Sequence, residues 1–350
     1  MEMLKKHKKV IECALIASVI AFFLLGYFAF RSIFDRTVMN SPDRYEIPPN
    51  QKWIASNIDH DHLGLTFSSV LEEDMGVGLS MGIYESEWAG NILSEEIQDF
   101  FTVQVQNTTF TELNLLLKIF YNYEELDFQI LDDNEYHQAF SFLLDGETQV
   151  DIPIQVPKNF ADRDSINQIT VGVFFAPEYF VINDSELGED LRSSPGLMVN
   201  YGIDKGSNEA LTLSADALDI SGDSEFFGFA IHTNPEPPGG GAVWAFPSIT
   251  AQQGTELELT FSANVESSDY LIISMLDWHQ ISMNSNPYLW VEASNDESEV
   301  GQHGQFSIQV PEEVGFYEFL AFLVPHPTKL NSAETFFPLE MVRLTLEVVE

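Results

Sequence analysis

Cysteine and basic residues are the scarce materials of this chain. Cys13 is the only cysteine in 350 residues. No disulfide can therefore hold any part of it within the chain, and a blue-copper site, which needs a thiolate, is excluded. Lys and Arg number 15 against 55 Asp and Glu, a formal charge of −40. Seven of the bases and four of the acids lie in residues 1–44, which leaves 8 bases and 51 acids, a formal −43, beyond them. A surface of that sign repels phosphate backbones and anionic lipid, so nucleic-acid binding is excluded. Catalytic signatures are also missing. There is no Gly-x-Ser-x-Gly elbow, no His-Glu-x-x-His and no twelve-residue EF-hand spacing. Carboxylates are too numerous for a glycosidase pair to be singled out. Helical periodicity is almost absent; Ser94–Phe101, with Ser94 as N-cap and Glu95 and Glu96 in the first turn, is the one short helix the pattern predicts.

One long apolar run is present, Val10 to Phe30, 21 residues with a single charge, Glu12. As a helix it is about 30 Å long, the thickness of a bilayer's hydrocarbon core. Lys5, Lys6, Lys8 and Lys9 precede it and only Arg31 and Arg36 follow closely. That asymmetry keeps the N-terminus in the cytosol and the remainder outside the cell. The run is longer than a signal-peptide core and ends in bulky Tyr27, Phe28 and Phe30 without a small-x-small cleavage site, so it reads as an uncleaved anchor. Cys13 lacks the small residues of a lipoprotein motif and reads as an ordinary apolar position of the span. The expected organisation is a basic tail (1–9), a transmembrane signal anchor (10–32) and a stalk (33–52) rich in Pro, Asn and Asp.

From Trp53 onward, short runs of Phe, Val, Ile, Leu and Thr alternate with Gly, Pro, Asn and Asp. Phe101, Val103 and Val105 against Thr102, Gln104 and Gln106 show the period of two of a half-buried strand, while Leu113–Tyr121 and Ile169–Ala176 are nearly continuous apolar runs suited to central strands. Several short matches recur in one order at separations of 143 to 154 residues. Ile154-Gln155-Val156-Pro157 returns unchanged at Ile308–Pro311, Met198-Val199 at Met341-Val342, and Leu131-Asp132 at Leu276-Asp277. Leu65–Ser68 resembles Leu211–Ser214, Thr111–Leu115 resembles Thr255–Leu259, and Val173–Pro177 resembles Ala321–Pro325. The expectation is all-β: two tandem antiparallel β-sandwich domains, 53–203 and 204–350, behind one N-terminal transmembrane helix. The architecture resembles tandem Ig-like modules on microbial surface proteins. Phe174 and Phe322 are expected to be buried, one in each copy.

Candidate ligands are few. His60 and His62, in Asp59-His60-Asp61-His62, would share a strand face and suit a transition metal, although a solvated lead-in to a strand is the plainer reading. Antiparallel succession of strands in the second copy would bring the loops holding His232, His303 and His326 to one end, as a metal site or a partner-binding tip. Acidic loops at 132–135, 183–186, 216–225 and 295–299 carry oxygen ligands suited to weak Ca²⁺ binding, but none has a fixed ligand spacing. Trp53, Trp88, Trp244, Trp278 and Trp290 would stack on sugars if exposed and fill sandwich cores otherwise. No cofactor is called for and no catalytic residue stands out. The sequence thus describes a single-pass membrane protein whose extracellular part is a non-enzymatic interaction or spacer module. Its partner would be an extracellular protein or glycan. A carbohydrate-binding module pair and a metal-dependent extracytoplasmic enzyme are the alternatives.

Overall fold

A computed structural model describes residues 56–57, 79–83, 92–94, 100–130, 135–155, 168–178, 196–204, 221–222, 229–233, 248–263, 269–292, 302–325, 327 and 340–350. Every regular element among them is a β-strand. The first sheet runs β2 (Leu79–Ile83), β4 (Phe100–Asn107), β10 (Thr148–Gln155), β7 (Phe128–Ile130) and β8 (Tyr136–His137), with β1 (Ser56–Asn57) also paired to β10. The second runs β3 (Ile92–Ser94), β12 (Gly196–Asp204), β11 (Gln168–Phe175), β5 (Leu113–Tyr121) and β6 (Glu124–Glu125), and β9 (Phe140–Leu144) pairs with β5. The third runs β13 (Ser221–Gly222), β20 (Gln302–Gln309), β16 (Glu256–Ala263) and β14 (Phe229–His232). The fourth runs β15 (Ser248–Gln252), β22 (Met341–Val349), β21 (Gly315–Pro325), β17 (Tyr270–Leu276) and β18 (His279–Ile281), with β19 (Leu289–Val291) on β17. The expected helix at 94–101 is not formed: Ser94 closes β3, and Phe100 and Phe101 open β4. Val10–Phe30 lies outside the described residues, and among those described no helix is long and apolar enough to cross a membrane.

Alternation builds two cores. Phe101, Val103 and Val105 of β4 and Ile152 and Ile154 of β10 turn inward against Leu115, Leu117, Val171 and Val173 of the second sheet. Leu259, Phe261, Phe306 and Ile308 of the third sheet meet Ile272, Phe319, Leu323 and Leu344 of the fourth in the same way. The second and fourth sheets share a strand path. Each ends in a parallel edge pair, β3 on β12 and β15 on β22, and each has a tight hairpin at the other side, β5–β6 and β17–β18.

The register shows which sequence matches join equivalent strands. Ile154 and Ile308 occupy equivalent places in β10 and β20, and Met198 and Met341 do so in β12 and β22. Thr111–Leu115 and Thr255–Leu259 do not, because Leu113–Leu115 belong to β5 and Glu256–Leu259 to β16. The likeness of Val173–Pro177 to Ala321–Pro325 is two residues out of register: Gln168 and Glu318 hold the same place beyond their hairpin turns, so Phe174 corresponds to Val324.

Period-two alternation leaves β5 and β11 with one face unexplained, since both are buried almost throughout. A third core accounts for it. Leu116, Phe120, Phe174 and Met198, on the outer face of the second sheet, pack in one cluster with Leu271, Ile273, Leu320 and Phe322 on the outer face of the fourth. Phe120 and Phe322 meet edge to face at 5.5 Å between ring centres. Phe174 and Phe322 are fully buried as expected, but in this shared core.

Candidate functional site

The junction between the second and fourth sheets is the densest polar site among the described residues, and it is assembled from two equivalent hairpins. Asn122 and Tyr123 connect β5 to β6 with φ of 46° and 71°; Asp277 and Trp278 connect β17 to β18 with 46° and 68°. Two successive positive φ values are those of a type I′ turn, whose twist suits a tight hairpin. Asn and Asp tolerate this region, and each braces the next strand. The Gln168 amide N–H donates to Asn122 Oδ1 at 3.2 Å, and that of Glu318 to Asp277 Oδ1 at 2.8 Å. Tyr and Trp are unusual at positive φ, and here the turn aims each across the junction. Tyr123 donates its hydroxyl to the Pro327 carbonyl at 2.9 Å, and Trp278 donates its indole N–H to the Pro177 carbonyl at 3.2 Å.

Under each aromatic lies a polar cluster at matching positions. In the second sheet Asn200 Nδ2 donates to Gln168 Oε1 at 2.7 Å, the Tyr123 hydroxyl contacts the same oxygen, and Gln168 Nε2 reaches the Pro327 carbonyl at 2.7 Å. In the fourth sheet the corresponding pair is ionic. Arg343 Nε donates to Glu318 Oε2 at 2.8 Å, and Thr345 Oγ1 donates to Glu318 Oε1 at 2.8 Å. The other guanidinium nitrogens cross to the Phe175 and Ala176 carbonyls at 2.7 and 3.1 Å, and the guanidinium carbon lies 4.9 Å from the Trp278 ring centre. Arg343 is wholly buried and Glu318 nearly so, and each of the three guanidinium nitrogens donates to an acceptor.

At the centre the contacts are reciprocal. The Glu125 amide N–H donates to Gln280 Oε1 at 2.6 Å, and the Gln280 amide N–H donates to Glu125 Oε2 at 2.9 Å. Gln280 Nε2 donates to the Tyr123 carbonyl at 2.9 Å, and Lys118 Nζ donates to the equivalent Trp278 carbonyl and to Glu125. Burial lowers the pKa of Lys118 to about 7, against the pull of the Asp127 carboxylate; contact with Glu125 pulls the same way as Asp127. His279 Nδ1 lies 3.9 Å from Glu125 Oε1, and burial, with Lys118 adding to it, lowers the pKa of this histidine.

The histidines singled out from sequence fare differently. His60, His62 and His326 lie outside the described residues, as do the acidic loops at 132–134, 183–186 and 295–299. His232 and His303 stand on strands that flank β16: His232 opposite Thr260, His303 opposite Ser262. Both face outward from the third sheet, and His232 Nε2 is 3.1 Å from Ser262 Oγ. β14 and β20 both run antiparallel to β16, so they run parallel to each other. The loop after His232 and the loop before His303 therefore leave opposite ends of that sheet, and the expected common end is not formed by these two. Strict alternation makes β14 and β16, with one strand between them in sequence, parallel; they pair antiparallel because the intervening β15 lies in the fourth sheet. Among the described residues no group of three or more His, Cys, Asp or Glu is placed to hold a metal. Trp278 and Trp290 are half-buried against the third core, while Trp53, Trp88 and Trp244 lie outside the described residues. The junction residues carried a signal that sequence reasoning passed over: Lys118 and Glu318 are the single charges of otherwise largely apolar strands, and Arg343 is the only base in a strand it shares with Glu347.

No known family model matches the chain, and no curated protein sequence matches it significantly. Its solved structural neighbours include a red sea bream transglutaminase, at 10% identity over 78% of this chain and 31% of that one, with a TM-score of 0.19. A family 123 glycoside hydrolase from Clostridium perfringens matches at 13% identity over 30% of this chain and 23% of that one, with a TM-score of 0.20. The fibronectin(III)-like modules of Clostridium thermocellum CbhA match at 6% identity over 77% of this chain and 94% of that one, also with a TM-score of 0.20. The chain spans a third or less of the first two proteins. Scores this low set neither fold nor function, and the all-β description rests on the strands themselves.

Proposed function

We propose that the chain is a membrane-anchored extracellular protein in which two repeated acidic β-sandwiches, 53–203 and 204–350, act as one stiff, non-enzymatic unit that carries interaction surfaces away from the bilayer. The observation that carries this reading is the junction. A hydrophobic cluster continuous between the second and fourth sheets, rimmed by reciprocal hydrogen bonds, resists bending between the sandwiches in the way a permanent interface does. The anchor rests on the length and flanking charge of Val10–Phe30. The strongly acidic surface keeps such a unit soluble and apart from anionic lipid.

Stiffness is tested on the full chain with Cys13 replaced by serine and single probes placed at the exposed positions Leu143 and Val314. One narrow inter-probe distance distribution is expected. A broad or multi-peaked distribution would defeat the stiff-unit reading. Orientation is tested on intact cells: an external protease should digest residues beyond about 45 and spare the N-terminus, and a C-terminus shielded until lysis would reverse the topology.

A further inference from the structure

We infer that the outer face of the first sheet is a binding strip for a neutral, hydroxyl-rich glycan chain. One row of side chains crosses four adjacent strands. The register sets Tyr136 of β8 beside Gln129 of β7, Gln129 beside Gln155 of β10, and Gln155 beside Phe100 of β4. Directly opposed residues point to the same side of a sheet. Their chain neighbours Phe128, Ile130, Ile154 and Phe101 point into the core, so the whole row faces outward. Three strand spacings, about 14 Å, separate its ends. Both ends are aromatic and open to solvent, Tyr136 at 54% and Phe100 at 43% exposure.

The fold does not demand these aromatics. At the place in the third sheet equivalent to Phe100 opposite Gln155, Glu256 stands opposite Gln309, so a carboxylate serves the same strand position. The row carries no charge in a chain of formal charge −40. Exposed Asp127 lies two residues before Gln129, outside the row, and Asp151 of the same face accepts hydrogen bonds from Gln104 and Gln149 at 3.1 and 3.2 Å. An anionic ligand is repelled by the surroundings, and a cation finds no free carboxylate in the row. A sugar chain presents apolar C–H faces and a rim of hydroxyls. Flat aromatic faces take the former, and amides, which both donate and accept, take the latter. In the third sheet, among the described residues, a single bridge of Met283 to Ile308 stands where Ile130 of β7 pairs with Ile154, and Glu256 stands at the place of Phe100, so the row with two aromatic ends belongs to the first sheet alone. It stands apart from the junction and does not depend on it.

The test uses the full chain, in a detergent without a sugar headgroup, on an array of neutral β-glucan, xylan, mannan and galactan oligosaccharides beside uronic-acid oligosaccharides. Retention on at least one neutral series is expected. Phe100→Ala and Tyr136→Ala should each weaken it by about tenfold or more, as for aromatic anchors at other interfaces, and together should abolish it. Leu143→Ala, an exposed aliphatic of β9 outside the row, should leave it unchanged. The circular dichroism of all variants should match the parent, since each changed side chain is exposed. Retention on the uronic acids alone, retention on no neutral series, or retention that survives the double variant would each overturn the strip.

Discussion

Arg343 and Lys118 show what single side chains do at the junction. Removing one partner of a buried ion pair strands the other in a medium that cannot solvate it, which costs about 3–5 kcal/mol. Arg343→Met should therefore destabilise the chain by that amount in urea titrations. Arg343→Met combined with Glu318→Leu should recover most of the loss, because an apolar pair in that space carries no desolvation penalty. Lys118 governs a pH dependence. Its pKa falls from an ordinary 10.5 to about 7 on folding. Between those values the unfolded chain holds a proton that the fold does not, so stability rises with pH across that window and levels off below it. The charged groups in its surroundings are Glu125 in contact, Asp127, and His279 beyond Glu125. The rise measured between pH 7 and 9.5 should shrink in Lys118→Met; an identical rise in the variant would assign it to other groups.

The two hairpin turns are the elements that build the site. Asp277 has its carboxylate on the Glu318 amide N–H, and Asn122 does the same work in the equivalent turn. Asp277→Asn should be nearly neutral, while Asp277→Ala should cost about 1–2 kcal/mol through the lost charge-assisted hydrogen bond; equal losses in denaturant titrations would place the effect elsewhere. Phe174→Ala and Phe322→Ala should each cost about 3–5 kcal/mol, as expected for buried phenylalanines that leave cavities. Their double variant should depart from additivity, because both side chains serve one core. The strands themselves were legible: the alternation in β4 and the continuous runs of β5 and β11 are as the pattern required. What those continuous runs lay against was not legible. An apolar face records that it is covered, and the covering element lies some 150 residues away in sequence. The junction was hidden for a related reason. A charged residue in a strand reads equally as a solvated edge position, and only the register brings Lys118 to Glu125 and Glu318 to Arg343.

At the scale of the molecule, the junction predicts how the chain behaves when cut. A protease site placed at 205–208 of the full chain should give, after cleavage, two pieces that remain together in gel filtration at micromolar concentration. Changing Gln280 to Glu should loosen them, since a second carboxylate would then face Glu125 in the reciprocal pair. Pieces that separate without any substitution would show that the shared core does not hold the halves. The reciprocity has a further meaning. Contacts in which one side returns what the other gives, Tyr123 to Pro327 and Trp278 to Pro177, are those of a two-fold homodimer. In a true homodimer every substitution is made twice, and a lysine at the place of Lys118 would be answered by another lysine across the axis. A single chain that carries both sides of the contact is free of that bookkeeping. Lys118 faces a surface whose own equivalent is Ile273, Glu125 faces Gln280, and Gln168 with Asn200 is matched by Glu318 with Arg343. Within one chain the two sides of a near-symmetric contact are separately heritable. One of them can then keep an acidic strand face while the other changes its own into something that recognises a ligand.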